Sequence, residues 1–153
     1  KLQRVRHGMK VQTVKFPQTP EATLAEIHSL RGLLDKYHME QFGTADVLPS
    51  EMLAIMWHSA QIDFIEALND ADERIGLVMV SIYSKVDGTR GANIMAAYVE
   101  EDYRSQGIFK QMLNLAKVVY RARNILTLDL TVPLQVDASW FGKEHTKTYR
   151  LEL

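Results

Sequence analysis

The stretch Val99-Glu-Glu-Asp-Tyr-Arg-Ser-Gln-Gly-Ile-Phe-Lys-Gln-Met-Leu113 decides how the chain is read. An apolar run, Ala92 to Val99, ends in a short acidic turn. A glycine-containing loop, Arg104 to Gly107, then opens into a segment whose Ile108, Met112, Leu115 and Val119 predict one helix face, out to Arg123. A helix that starts straight from a loop presents backbone N–H groups with no intrahelical acceptor, backed by the positive end of the helix dipole. Such a terminus suits a phosphate or pyrophosphate. From Tyr103 to Leu128 there is no Asp or Glu, whereas Arg104, Lys110, Lys117, Arg121 and Arg123 are basic. Charge of one sign, in a chain of formal net charge -1, suggests a local anionic ligand; a solvated basic helix face is the plainer alternative.

On the N-terminal side lie three strand-like runs, Ile62 to Leu68, Arg74 to Ser84 and Gly91 to Val99. Their connections are short, and Asp87-Gly88 is a hairpin signal, so an antiparallel meander is expected. On the C-terminal side Ile125 to Val132 reads as a strand stopped by Pro133. Strand, helix, strand makes a βαβ unit, so this strand should run parallel to Gly91–Val99. Earlier in the chain, Met9 to Phe16 alternates as a strand. Thr19-Pro20-Glu21 is a helix start, followed by Leu24, Ile27, Leu30, Leu34 and Tyr37 on one face and a stop near Gly43. Pro49-Ser50-Glu51 opens a shorter helix with Met52, Ile55, Met56 and Ser59 on one side. A short irregular or helical piece, Gln135 to Lys143, leads to a last strand, Lys147 to Leu153. The fold class is α/β (α+β): a mixed sheet in the order β-α-α-β-β-β-α-β-(α)-β, with helices on both faces.

The 153 residues suffice for one domain that buries roughly two-thirds of its unfolded surface. We take residues 9–153 as that domain and set residues 1–8 aside as a basic arm or vector remnant. Without cysteine there is no disulfide framework, thiolate nucleophile or Cys-based metal site, and the five His show no metal-ligand spacing, so no metal is expected. No apolar run reaches the roughly 20 residues that span a bilayer, and no signal peptide is visible, so a cytoplasmic protein without membrane contact is expected.

The element order and the Arg-x-x-Gly loop resemble the GCN5-related N-acetyltransferase (GNAT) superfamily, from Met9 to Leu153. The family's acyl-CoA loop, [Gln/Arg]-x-x-Gly-x-[Gly/Ala], is matched by Arg104-Ser105-Gln106-Gly107-Ile108-Phe109, with Tyr103 before it and Lys110 after. The resemblance implies acetyl-CoA as cosubstrate: Arg104, Ser105, Gln106, Gly107, Ile108, Phe109 and Lys110 would hold the diphosphate, and Ala97, Tyr98 and Val99 would line pantetheine. The strand carrying them would be splayed from the next. Phe109 departs from the usual Gly or Ala, but a Phe keeps its backbone N–H.

Two departures concern chemistry. Relatives carry a Tyr that can protonate the departing thiolate; the matching position here is Phe141, with no hydroxyl. Some carry a Glu early in the fourth strand; here Asn93 stands there and can position water but not accept a proton. The implied reaction is direct attack of an amine on the acetyl thioester, with Asp129, inside the apolar run Leu126 to Leu130, and Glu100 as candidate bases. Tyr149 and Tyr103 are candidate substitute acids. The acidic residues Asp63, Glu66, Asp70, Asp72 and Glu73, with Trp57 and His58, are candidates to border an acceptor cleft that draws cationic amines. The expected partner is a small-molecule or peptide amine, and a homodimer is left open. The alternative reading is a catalytically degenerate GNAT-fold module that binds CoA or serves as a structural or interaction protein. Near-neutral charge and the lack of a recognition-helix signature argue against a dedicated nucleic-acid binder.

Overall fold

The computed structural model describes residues 2–4 (main chain only), 9–45, 47–131, 138–144 and 149–153. The elements run β1 (Leu2–Arg4), β2 (Lys10–Thr13), α1 (Pro20–Phe42), α2 (Ser50–His58), β3 (Ile62–Leu68), β4 (Arg74–Ser84), β5 (Arg90–Val99), a 3-10 turn (Glu101–Tyr103), α3 (Ile108–Ala122) and β6 (Ile125–Leu130). The strands form one six-stranded sheet in the order β1-β2-β3-β4-β5-β6. Pairing is antiparallel from β1 to β5, and β6 lies parallel to β5, as the crossover through α3 requires.

The two faces of the sheet carry separate apolar clusters because strand side chains alternate. On one face α1 and α2 bury Ile27, Leu30, Leu34, Leu53 and Trp57 against Phe64, Leu77 and Met79. On the other α3 buries Ile108, Met112, Leu115 and Tyr120 against Ile65, Val78, Val80 and Ile94. Helices on both faces agree with the sequence pattern. Helix α1 starts as its residues dictate: the Thr19 hydroxyl accepts from Ala22 N at 3.1 Å, and Pro20 occupies the first turn. It ends where Gly43 N donates to Met39 O, 2.9 Å.

The structure corrects several expectations. Leu2–Arg4 pairs with β2 through Leu2↔Gln12 and Arg4↔Lys10, so residues set aside from the fold form the sheet's edge. Helix α2 turns Leu53 and Trp57 to the core, whereas Met52 and Ile55 are exposed. Its face was misjudged because the helix is short and apolar nearly all round, so periodicity has little contrast to act on. Residues 138–144 hold a turn, closed by Phe141 N on Ala138 O at 2.9 Å; the start of the expected piece, 135–137, lies outside the described residues. Of the expected last strand, 147 and 148 lie outside the described residues, and Tyr149–Leu153 forms no strand. Among the described residues no helix is long and apolar enough to cross a membrane.

The face of α2 is testable. Leu53→Ala should cost about 2–5 kcal/mol, since a buried Leu leaves a cavity as well as its transfer energy. Ile55→Ala should change stability by less than about 0.5 kcal/mol. Urea unfolding midpoints of the two variants decide it.

Candidate active site

The parallel ladder between β5 and β6 runs from Arg90↔Ile125 to Ile94↔Leu130 and stops. β5 continues to Val99, still paired with β4 on its other side. At the stopping point β5 carries an extra residue: Met79 faces Ala96 and Val80 faces Ile94, so Met95 bulges from the β4 ladder. From Met95 to Val99, therefore, β5 turns toward β6 a main-chain edge that no described strand pairs.

That edge leads into the loop singled out in the sequence. After the 3-10 turn, Ser105 and Gly107 both take left-handed backbone conformations, with φ of 63° and 81°. For Gly107 this costs no steric strain. The turn brings the chain straight into α3, where Gln111 N is the first to reach a helical acceptor, Gly107 O, at 3.0 Å. The N–H groups of Gly107, Ile108, Phe109 and Lys110 are those a helix start leaves without an intrahelical partner. They adjoin an open depression of about 350 Å³ lined by Val99, Tyr103, Arg104, Ser105, Gly107, Ile108, Phe109 and Lys110. Ile108 is buried and anchors the helix start to the sheet, so the amides sit on a fixed element.

A second group of polar residues lies at the other end of the gap. In register across three strands stand Ser81↔Asn93↔Asp129 and Tyr83↔Gly91 with Thr127. Leu128 and Leu130 turn to the α3 side, so Thr127 and Asp129 turn to the opposite face, that of α1 and α2. The Tyr83 hydroxyl crosses Gly91 and donates to Asp129 Oδ2 at 2.5 Å. Tyr83 is raised above the ordinary Tyr value, chiefly by that hydrogen bond.

A family model described as the acetyltransferase (GNAT) family matches residues 27–140, most of the chain. The chain belongs to that family. No curated protein sequence matches the chain significantly. Among solved structures the fold is similar to a possible acetyltransferase from Clostridium difficile 630, with TM-score 0.71, 14% identity and 95% and 97% of the two chains covered. It is similar to the ribosomal-protein-alanine N-acetyltransferase of Brucella melitensis biovar Abortus 2308 at TM-score 0.69, 17% identity and 95% and 99% coverage. An aminoglycoside acetyltransferase from an uncultured soil metagenomic sample, solved with sisomicin, gives 0.73, 15% and 96% and 97%.

Against the GNAT pattern, the structure brings Asn93 and Asp129 together as register partners and leaves Glu100 apart. Glu100 lies seven residues beyond Asn93, roughly 23 Å at the rise of a strand. Both its carboxylate oxygens accept from Lys36 Nζ of α1, at 2.9 Å each, so it is poorly placed as a base beside Asp129. Arg104 also turns to α1: Nη2 meets Glu40 Oε2 at 2.8 Å, Nε donates to Val99 O at 2.8 Å, and the guanidinium lies 5.1 Å from the Tyr98 ring centroid. Ala97 and Val99 face the α3 side. Of the basic run, Arg123 pairs with Asp63 at 2.9 Å. Lys110 is the basic residue left beside the helix start.

The acidic residues do not share one cleft: Asp70 lines a depression of about 210 Å³ with Met9, Asn69, Ala71 and Tyr103. Asp63 is buried against Arg123 and Tyr120 on the α3 side, and burial, with the Asp63 carboxylate beside it, holds the Tyr120 hydroxyl well above the ordinary value. Glu66 is buried on the other face, bonded to Gln12 and Arg74. Asp72 pairs with Lys10, and Glu73 accepts from Asn69. Trp57 is fully buried against Phe64, and His58 stacks on Phe16, so both serve packing. Tyr103 receives a hydrogen bond from Asn69, and Tyr149 is 88% exposed in a segment without strand pairing. Phe141, the nearest counterpart in sequence to the Tyr that the resemblance implies, packs on the α3-side cluster, its ring 5.9 Å from Trp140, which in turn meets Phe109 edge-on at 6.3 Å. The Phe109 ring thus joins an aromatic row beside the helix start, and its N–H has no partner among the described residues.

Tyr83 and Gly91 escaped the sequence reading. Gly91 inside a strand was the available signal, since such a glycine often marks close approach of another group. A Cβ there would lie 2.6 Å from the Tyr83 hydroxyl and 2.6 Å from Thr127 Oγ1. The raised Tyr83 contributes stability that is complete below the unfolded Tyr value of about 10 and is lost as pH rises through the folded value. Asp129→Asn should move the phenol titration of Tyr83 back toward the ordinary value. A phenolate absorbance titration unchanged by that substitution would refute the pairing.

Proposed function

We propose that this GNAT protein transfers the acetyl group of acetyl-CoA to a primary amine, on a small molecule or a peptide, by direct attack without an acetylated enzyme. One arrangement carries the proposal: a strand edge, Met95 to Val99, and four amides at a helix start that have no partner among the described residues. The donor set fits coenzyme A. Main-chain N–H groups with a helix dipole behind them suit a diphosphate, Lys110 adds a cation beside them, and an unpaired strand edge suits the amide-bearing pantetheine arm. Arg104 contributes by bracing the loop against Glu40 and Val99, in place of the phosphate contact that the family match suggests.

Acetyl-CoA bound along this edge supplies the activated acetyl carbon. Its thioester would lie where β5 and β6 part, with Asn93 and Asp129 on the α1/α2 face beside it. The amine nitrogen must form the new bond as a free base and must lose a proton as it becomes an amide. Asp129 accepts that proton and Asn93 orients the amine or a water through its side-chain amide. Main-chain N–H groups of the bulged strand polarise the carbonyl. Phe141 provides no acid for the departing sulfur. A thiol of ordinary pKa near ~8.5 leaves without one, and alignment of the two reactants supplies several kcal/mol of the barrier reduction.

Calorimetry and thermal unfolding with acetyl-CoA test the binding step. At 100 times its dissociation constant the ligand should stabilise the fold by about 2.7 kcal/mol. Gly107→Glu should abolish the effect by setting a carboxylate among the amides; its Cβ meets nothing within 4 Å, and the left-handed φ of 81° costs a non-glycine residue about 1–2 kcal/mol, which the fold should bear. Unchanged affinity in that variant would refute the site. Release of free thiol with a panel of polyamines, aminoglycosides and alanine-terminated peptides tests the transfer; tight binding with no turnover on any amine would favour the CoA-binding module instead.

A further inference from the structure

The hydrogen bond from Tyr83 to Asp129 is not needed to solvate the carboxylate. Asp129 is half-buried on the last strand of the described sheet, where a carboxylate can be solvated without help. Yet three strands cooperate to make the contact: β4 supplies the phenol, β5 supplies a residue without a side chain, and β6 supplies the acid. Glycine in a strand interior weakens the strand, so Gly91 costs stability that the Tyr83 hydroxyl then makes use of. The contact stands one register step from the last β5–β6 pair, Ile94↔Leu130, at the mouth of the gap.

We propose that Tyr83 is a positioning residue for acetyl transfer: passing over Gly91, its hydroxyl fixes the Asp129 carboxylate at the mouth of the β5–β6 gap. The role rests on the acetyltransferase reading above and deepens it. A short polar side chain on an edge strand otherwise samples several rotamers and faces water. The phenol is rooted in β4 and rigid, so it holds Oδ2 in one place. Among the described residues no group hydrogen-bonds to Oδ1, which is left for the amine. On transfer, the amine nitrogen bonds to the acetyl carbon, the C–S bond breaks with its electron pair leaving on the coenzyme A thiolate, and the amine proton goes to Oδ1, while Oδ2 keeps the Tyr83 hydrogen bond. Tyr83 itself gives up no proton, in keeping with its raised value.

The kinetics of three variants test the role, with acetyl-CoA and the same amine panel and free thiol as the readout. Tyr83→Phe keeps the ring and loses only the hydroxyl, and it should lower kcat by about tenfold to a hundredfold with the KM for acetyl-CoA unchanged. Gly91→Ala should act in the same direction, because its methyl displaces the phenol oxygen from 2.6 Å. If that variant fails to fold, Tyr83→Phe decides alone. Asp129→Asn should cost more than either, and adding Tyr83→Phe to it should bring no further loss, since the hydroxyl acts only through the carboxylate. A wild type that turns over while Tyr83→Phe matches it, or a double variant whose losses add, overturns this role and leaves the acetyltransferase reading intact. A wild type that acetylates none of the amines overturns both.

Discussion

Among the described residues, parallel pairing between β5 and β6 ends at Ile94↔Leu130, and the arrangement of the whole candidate site follows from that stop. A strand in a sheet ordinarily has partners on both sides. β5 keeps its β4 ladder for its full length, bulging at Met95, but loses its other neighbour halfway. The unpaired half is held straight by β4 and covered on its two faces by separate apolar clusters. Those clusters keep it rigid without satisfying its open edge. An extended ligand with amides of its own can complete such an edge, as an added strand would.

The two ends of the open edge are chemically different, and the sheet register makes them so. At one end α3 begins, and its first amides are unpartnered for the geometric reason that every helix start is. At the other end Asn93 and Asp129 face each other across the last paired step, with Tyr83 reaching in above Gly91. The groups proposed to bind the anion and to accept the proton are thus set apart by the length of one strand segment. Helix α1 braces the anion end from outside through Lys36–Glu100 and Arg104–Glu40. These contacts are exposed and screened by salt, so they orient the loop more than they stabilise the fold.

Where local rules dominate, the sequence could be read directly. Helix α1 followed from Thr19, Pro20 and Gly43, the meander from alternation and Asp87-Gly88, and the loop and α3 from Gly107 and the spacing of Ile108, Met112 and Leu115. What was hidden depends on contacts distant along the chain. The basic run looked free, but Arg104 and Arg123 are engaged by Glu40 and Asp63, some sixty residues away. The acidic residues of β3 looked like a cleft, but alternation sends Asp63 and Glu66 to opposite faces, each toward a buried partner. The Tyr83–Asp129 contact joins β4 to β6 through a glycine, and no local pattern announces it. Asp129 stood out in the sequence as an acid inside Leu126 to Leu130, and the structure sets it in register with Asn93; its chemical role belongs to the proposal.

The central claim is that main-chain amides at the start of α3, more than the basic side chains around them, receive the diphosphate. Amide resonances followed by NMR during titration with coenzyme A test this most directly. The N–H signals of Gly107, Ile108, Phe109 and Lys110 should shift downfield together and saturate with one affinity, while those of the exposed far end of α3 stay in place. Saturable binding that leaves these four signals unmoved would contradict the claim.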